Sequence, residues 1–254
     1  PASLAAQVDA LSDGCGVLLW LDENDNPLCL NVCRQAFSEA VAALHGNPAL
    51  QSAAGIRFLP AVGELHAVQL KAQLASEYAI KPKENCHPYL TVRFQSDNHD
   101  GLQARIVPLE DGFCSRPYGL FLHKKSARRA LGLWAREQGF CPARLDILPA
   151  TYAKNIPCPV SAGGACRGGC LPSESGTGNG RIALAARLLP VADWGRAHEI
   201  EITETDALSG QSRSFRCAGG ALSLPDGRWY FDGALAAVLK GKFKQGGEDI
   251  RILA

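Results

Sequence analysis

The sequence contains no methionine, carries almost no net charge and has no long apolar run. Without a run of bilayer length there is no candidate for a membrane-spanning helix, and residues 1–11 show no signal-peptide pattern. The expectation is a soluble, cytoplasmic protein. A first residue other than Met points to a processed start or a fragment of a longer chain. The near balance of 26 Lys and Arg against 25 Asp and Glu gives +1. That excludes a binder of nucleic acid driven by overall charge, so any such contact needs a local basic patch. No internal repeat is present, which excludes solenoids and propellers. No P-loop, dinucleotide fingerprint or HExxH occurs either, which removes the commonest nucleotide and zinc-protease chemistries.

What is present supports a folded α/β chain. Of 254 residues, 46% are hydrophobic and 20% charged, enough for a core and too apolar for disorder. Leu4, Val8 and Leu11 recur at helical spacing. Val17 to Leu21 and Leu28 to Leu30 read as two strands joined by the turn-rich run 23–27. A helix follows over 34–45, a strand over 56–59, and a helix from Gly63 to about Ala79 with Ala67, Leu70, Leu74 and Tyr78 as its buried stripe. The order is β-β-α-β-α. Strands are expected over 89–94 and 102–109, joined as a hairpin, and over 118–122, then a helix capped by Ser126. Regularity fades from Cys141 to Gly180. Beyond it a helix is expected over 182–189, then strand-like runs over 199–205, 221–224, 229–231 and 249–253 with a helix near 235–240. The division expected is residues 1–95, an α+β cysteine-rich part over 96–180, and a C-terminal α/β region over 181–254.

The run Gly16-Val17-Leu18, the following Pro27-Leu28-Cys29-Leu30-Asn31 and the helix Gly63 to Leu74 resemble the GIY-YIG nuclease domain. The likeness extends to the excinuclease group, the N-terminal half of UvrC and its short Cho-type homologues. Tyr118-Gly119-Leu120-Phe121, the helix after it, Cys141 and Cys158 to Cys170 follow in the same order. The resemblance implies DNA cutting with two tyrosines to activate water, an arginine to clamp phosphate and a glutamate to hold a divalent metal ion. Those positions fall on Leu18, Cys29, Glu39 and Lys71, and the glycine after the second tyrosine falls on Asn31. Leucine accepts no proton, Glu39 repels phosphate, and Lys71 repels a hard cation. The expectation is a degenerate, non-cutting member. The exchanged signs suggest either an ion pair between Glu39 and Lys71 or two solvated helix residues.

Ten cysteines are many for a chain without a secretory signal, and clustered ones then read as metal ligands. Cys158, Cys166 and Cys170 stand at C-x7-C-x3-C with Cys141 upstream. Four thiolates suit tetrahedral zinc or an iron–sulfur cluster, and the resemblance implies a [4Fe–4S] cluster. Cys29 and Cys33, near Cys15, are weak evidence for a second site against buried thiols. Cys86-His87 lacks a third partner for nucleophilic chemistry.

The densest basic run holds Lys124, Lys125, Arg128 and Arg129 at a helix start. It reads as a phosphate-binding patch or a solvated face. Lys240, Lys242 and Lys244 form a weaker patch, and Trp194 and Trp229 read as core. The functional expectation is a non-catalytic protein that binds DNA or a partner protein in DNA repair. A divergent active endonuclease, or an accessory subunit of a larger complex without DNA contact, are the alternatives.

Overall fold

The computed structural model describes residues 3–80, 89–96, 102–109, 111–115, 118–138, 142, 145, 147, 199–245 and 249–253. The protein is mixed α/β, with antiparallel sheets. It divides into two compact units, one of residues 1–86, 200–217 and 222–252, the other of 87–199, 218–221 and 253–254. This differs from the three-part reading of the sequence, because most of the C-terminal stretch folds back into the first unit. The return is made by side chains on strands and a helix far along the chain, which no local pattern announces.

The first unit opens with α1 (Leu4–Asp9), β1 (Gly16–Leu21), β2 (Pro27–Cys33), α2 (Ala36–Gly46), β3 (Gly55–Pro60) and α3 (Glu64–Glu77). The β-β-α-β-α order expected from the sequence is present. β1 lies between β2 and β3 and is antiparallel to both. A central strand covered on both faces needs apolar residues at every position, and the run Val17-Leu18-Leu19-Trp20-Leu21 is buried throughout. Leu18 and Trp20 pack with Val8, Ala36 and Ala40 against α1 and α2. Val17, Leu19 and Leu21 pack on the other face with Ala67, Leu70 and Leu74 of α3. Gly16 begins the strand for a steric reason: a Cβ there would stand 2.2 Å from the Leu59 carbonyl oxygen and 2.6 Å from the Phe58 ring. The Asp22 carboxylate folds the hairpin turn by accepting the N–H groups of Asn24 and Asn26, both at 2.8 Å.

The second unit holds β4 (Leu90–Ser96), β5 (Leu102–Pro108), β6 (Phe113–Cys114), β7 (Leu120–Phe121) and α4 (Lys124–Gln138). Its sheet runs β5-β4-β7. Val92, Ala104, Ile106 and Phe121 meet Ala127, Leu131, Trp134 and Ala135 of α4. Phe94 and Tyr118 close one side edge to face, with ring centroids 4.9 Å apart. α4 begins at Lys124, two residues before the cap expected at Ser126. Ala127, buried in the core, already donates its N–H to the His123 carbonyl at 3.1 Å.

The chain returns to the first unit with β8 (Ile200–Thr205), β9 (Ser212–Ala218), β10 (Ala221–Ser223), β11 (Trp229–Tyr230), α5 (Gly233–Gln245) and β12 (Ile250–Ile252). β12, β8, β9, β10 and β11 lie side by side. β9 escapes the sequence reading because Ser212, Arg213, Ser214 and Arg216 dominate its composition. Its signal is the period-2 placement of Phe215 and Cys217, both buried, opposite Ile202 and Ile200. The helix expected over 182–189, Trp194, Cys86-His87 and the cysteines Cys141, Cys158, Cys166 and Cys170 lie outside the described residues.

Candidate functional site

The four positions to which the resemblance assigns cutting chemistry are divided by the sheet. Leu18 and Cys29 belong to the face packed on α1 and α2, and Leu18 is fully buried. Lys71 lies on α3, whose apolar stripe packs on the opposite face. Each polar one of the four is engaged. The Cys29 thiol donates to the Asn31 side-chain oxygen at 3.4 Å, and the Trp20 indole N–H donates to the same oxygen at 3.1 Å. Glu39 turns back on its own helix, where its Oε1 accepts the backbone N–H groups of Arg34 at 2.6 Å and Gln35 at 3.1 Å. α2 has no side-chain cap at Gln35, so Glu39 supplies one.

The ion pair expected between Glu39 and Lys71 is not formed. The Lys71 ammonium instead lies 2.7 Å from Oδ2 of Asp232, and the Tyr230 hydroxyl donates to that oxygen at 3.0 Å. The other oxygen of Asp232 accepts the Leu235 N–H at 2.8 Å and caps α5. Lys71, on which the resemblance places the family's metal-binding glutamate, therefore holds the C-terminal helix.

The same pattern runs along α3. Gly63, at its N-cap, has no side chain to satisfy the first N–H groups of the helix. Glu204 of β8 reaches in and accepts from Leu65 at 2.9 Å and His66 at 3.0 Å. Its carboxylate is 2% exposed, and Lys242 of α5 pairs with it at 2.9 Å. A negative group at a helix N-terminus also gains from the helix dipole. The glycine is what admits it, since a Cβ at Gly63 would lie 2.5 Å from the Glu204 carboxyl carbon. Further along, the Gln69 amide donates to the Ser223 carbonyl at 3.4 Å, and Arg228 donates to the Ser76 hydroxyl at 2.9 Å. Lys242 is thereby withdrawn from the basic patch expected on α5, while Lys240 and Lys244 are exposed.

A polar cavity of about 410 Å³ opens at the N-terminus of α3, lined by Cys15, Arg34, Glu64, Glu204, Lys242 and Asp249 among others. Its charges are largely matched, with Arg34 on Glu64 and Lys242 on Glu204. Burial first, then the nearby carboxylates of Glu204 and Glu64, push the Cys15 thiol up to about 12. Burial likewise raises Cys33, to about 11, and its Sγ donates to the Gly16 carbonyl at 3.4 Å. No group of three or more His, Cys, Asp or Glu side chains suited to a metal ion occurs among the described residues. No family model, curated protein or solved structure matches the chain.

Glu204, Asp232 and His66 escape the sequence reading. Asp232 ahead of Gly233-Ala234-Leu235 is a legible cap signal, whereas a glutamate on one strand capping a helix 139 residues away leaves none. In the second unit, the four basic residues named from the sequence, Lys124, Lys125, Arg128 and Arg129, are all exposed on α4, and Arg136 joins them.

His66 is buried, and its Nδ1 accepts the Val62 N–H at 3.0 Å. With Nδ1 accepting, the neutral ring carries its proton on Nε2, and the Arg213 guanidinium stands 3.0 Å from that nitrogen as a neighbouring positive charge and not as a hydrogen-bond partner. Burial, and after it Arg213, hold the pKa of His66 below its ordinary value, against an opposing pull from Glu204. Below about pH 6.5 the unfolded chain takes up a proton that the folded one refuses, so stability is lost as the pH falls through that window. The stability advantage of wild type over His66→Asn, whose side-chain oxygen can still accept from Val62, should therefore shrink between pH 8 and pH 5 in urea unfolding. A constant difference would contradict the buried neutral ring.

Proposed function

We propose that the chain is a non-cutting relative of the GIY-YIG excinucleases that binds DNA through its second unit, in a repair setting. The observation that carries this reading is the segregation of charge. The strands and helix of the second unit hold Arg93, Arg105, Lys124, Lys125, Arg128, Arg129 and Arg136 against the single acid Glu137. All seven cations are exposed. This is the local basic patch that a near-neutral total charge conceals, and exposed cations of one sign on a small unit attract a polyanion. Lys125, Arg129 and Arg136 recur at i, i+4 and i+11, which sets them along one side of α4.

The absence of cutting rests on the fates of the four inherited positions. One is a core leucine, one thiol is bonded to Asn31, one carboxylate is bonded to backbone amides and one ammonium is bonded to Asp232. None of these groups is available as a base, a phosphate clamp or a metal ligand.

With Mg²⁺ or Mn²⁺, wild type should leave supercoiled plasmid intact, and Lys71→Glu should not confer nicking. Duplex binding should weaken steeply with salt. Replacing Lys125, Arg129 and Arg136 with Gln should flatten the slope of log affinity against log salt by about 0.9 for each phosphate contact removed. Metal-dependent nicking abolished by one substitution elsewhere would instead identify a divergent endonuclease. No binding to any DNA would favour an accessory subunit.

The cysteine centre belongs to the same reading. Cys141, Cys158, Cys166 and Cys170 offer four thiolates, a donor set that fits a [4Fe–4S] cluster and also fits zinc. The cluster is the form proposed, as a structural or redox centre. Protein purified anaerobically should show broad visible absorption and about four irons per chain, both reduced in Cys158→Ser. Colourless protein holding neither iron nor zinc would remove the centre.

A further inference from the structure

The second unit carries charge on two faces. Along β4 and β5 side chains alternate between the faces of the sheet. Leu90, Val92 and Phe94 and their partners Ala104 and Ile106 turn to α4. Arg93 and Arg105 therefore turn to the other face. The register sets them directly opposite each other, Arg93 on Arg105. Facing Cβ atoms in such a pair are about 4.5–5.5 Å apart, and like charges at this spacing destabilise the strand pairing.

Nothing in the described part of the protein relieves that repulsion. Both arginines are exposed, and neither makes a salt bridge to a described acid. Cys114 lies near Arg93, yet burial pushes its thiol up to about 12, so it brings no negative charge. Asp111, whose charge also acts on Cys114, accepts the Phe113 N–H at 3.2 Å and makes no ion pair with Arg93. Thr91, on the same face of β4, is buried and donates its hydroxyl to the Gly119 carbonyl at 2.8 Å. Two exposed arginines thus stand opposite each other in the strand register, each carrying a planar fork of donors that matches phosphate oxygens.

We infer that this sheet face is a second phosphate-binding surface, and that the unit holds two duplex segments at once, one along α4 and one across Arg93 and Arg105. The inference rests on the reading of the second unit as DNA-binding and extends it from a single contact to a bridge. A phosphodiester seated between the arginines turns a repulsive cross-strand pair into a charge-neutralised one, so the cost carried by the free protein is recovered on binding. Duplex DNA suits both surfaces because each presents exposed cations of the kind that contact backbone phosphates.

The test is the number of short, labelled duplexes bound per full-length chain at low salt, read by sedimentation with separate absorbance for protein and label. Wild type should bind two. Arg93→Gln/Arg105→Gln should bind one, with the salt slope of the remaining site unchanged, and Lys125→Gln/Arg129→Gln/Arg136→Gln should also bind one. The arginine variant should melt no lower than wild type, because it removes a like-charge pair; the single variant Arg93→Gln provides a milder check. One duplex per chain for wild type and for the arginine variant alike would overturn the inference and leave the DNA-binding reading standing. Loss of all binding in the arginine variant would merge the two surfaces into one and overturn it as well. Preferential displacement of the second duplex by polyglutamate would assign the face to an acidic polypeptide. No duplex bound by wild type would overturn both the inference and the reading beneath it.

Discussion

Glu204 joins two stretches of chain that lie 139 residues apart in sequence. Its carboxylate closes the bare N-terminus of α3, where Gly63 offers no cap, and it takes Lys242 of α5 as a counter-charge. A buried ion must be paired and hydrogen-bonded to be tolerated, and removing one partner of such a pair costs about 3–5 kcal/mol. The position of β8 is therefore fixed relative to α3, and β9, α5 and β12 are fixed with it. The Lys71–Asp232 pair repeats the arrangement two turns along the helix, between an ammonium on α3 and the cap of α5. α3 is a spine to which the C-terminal segment is tied by polar contacts at Leu65, His66, Gln69, Lys71 and Ser76.

The same holds for the polar residues at the positions the resemblance singles out. A lysine where a metal ligand was expected is a poor site for a cation and a good partner for a helix-capping aspartate. A glutamate where a phosphate clamp was expected serves α2, whose own N-cap side chain makes no bond. Each of these polar groups has a structural partner. In the first unit Glu204 pairs with Lys242 and Lys71 with Asp232, and the exposed cations of α4 are the reason nucleic-acid binding is proposed for the second.

Much of the architecture was legible in the sequence. The unbroken run 17–21 marks a strand buried on both faces, and the spacing of Ala67, Leu70 and Leu74 marks the face that α3 lays on it. The exposed cations of α4 were legible as a dense run. Long-range features were not. Glu204 looks like one acid in a strand of alternating polarity, and only the fold brings it to α3. The Glu39–Lys71 pair expected from exchanged signs failed because opposite charge says nothing of distance, and each residue had a nearer partner. β9 was hidden by its polar outer face. The opposition of Arg93 and Arg105 depends on hairpin register, which the sequence leaves open when the connecting loop is long.

The central claim is that paired charges along α3 hold the C-terminal segment in place. A double-mutant cycle between Lys71→Met and Asp232→Asn, read by urea unfolding, addresses it most directly. Asp232→Asn keeps the oxygen that caps α5, so the cycle isolates the ion pair. The account predicts a coupling of at least about 1 kcal/mol, as expected for a half-buried pair in direct contact. Strict additivity, with coupling below about 0.3 kcal/mol, would contradict it.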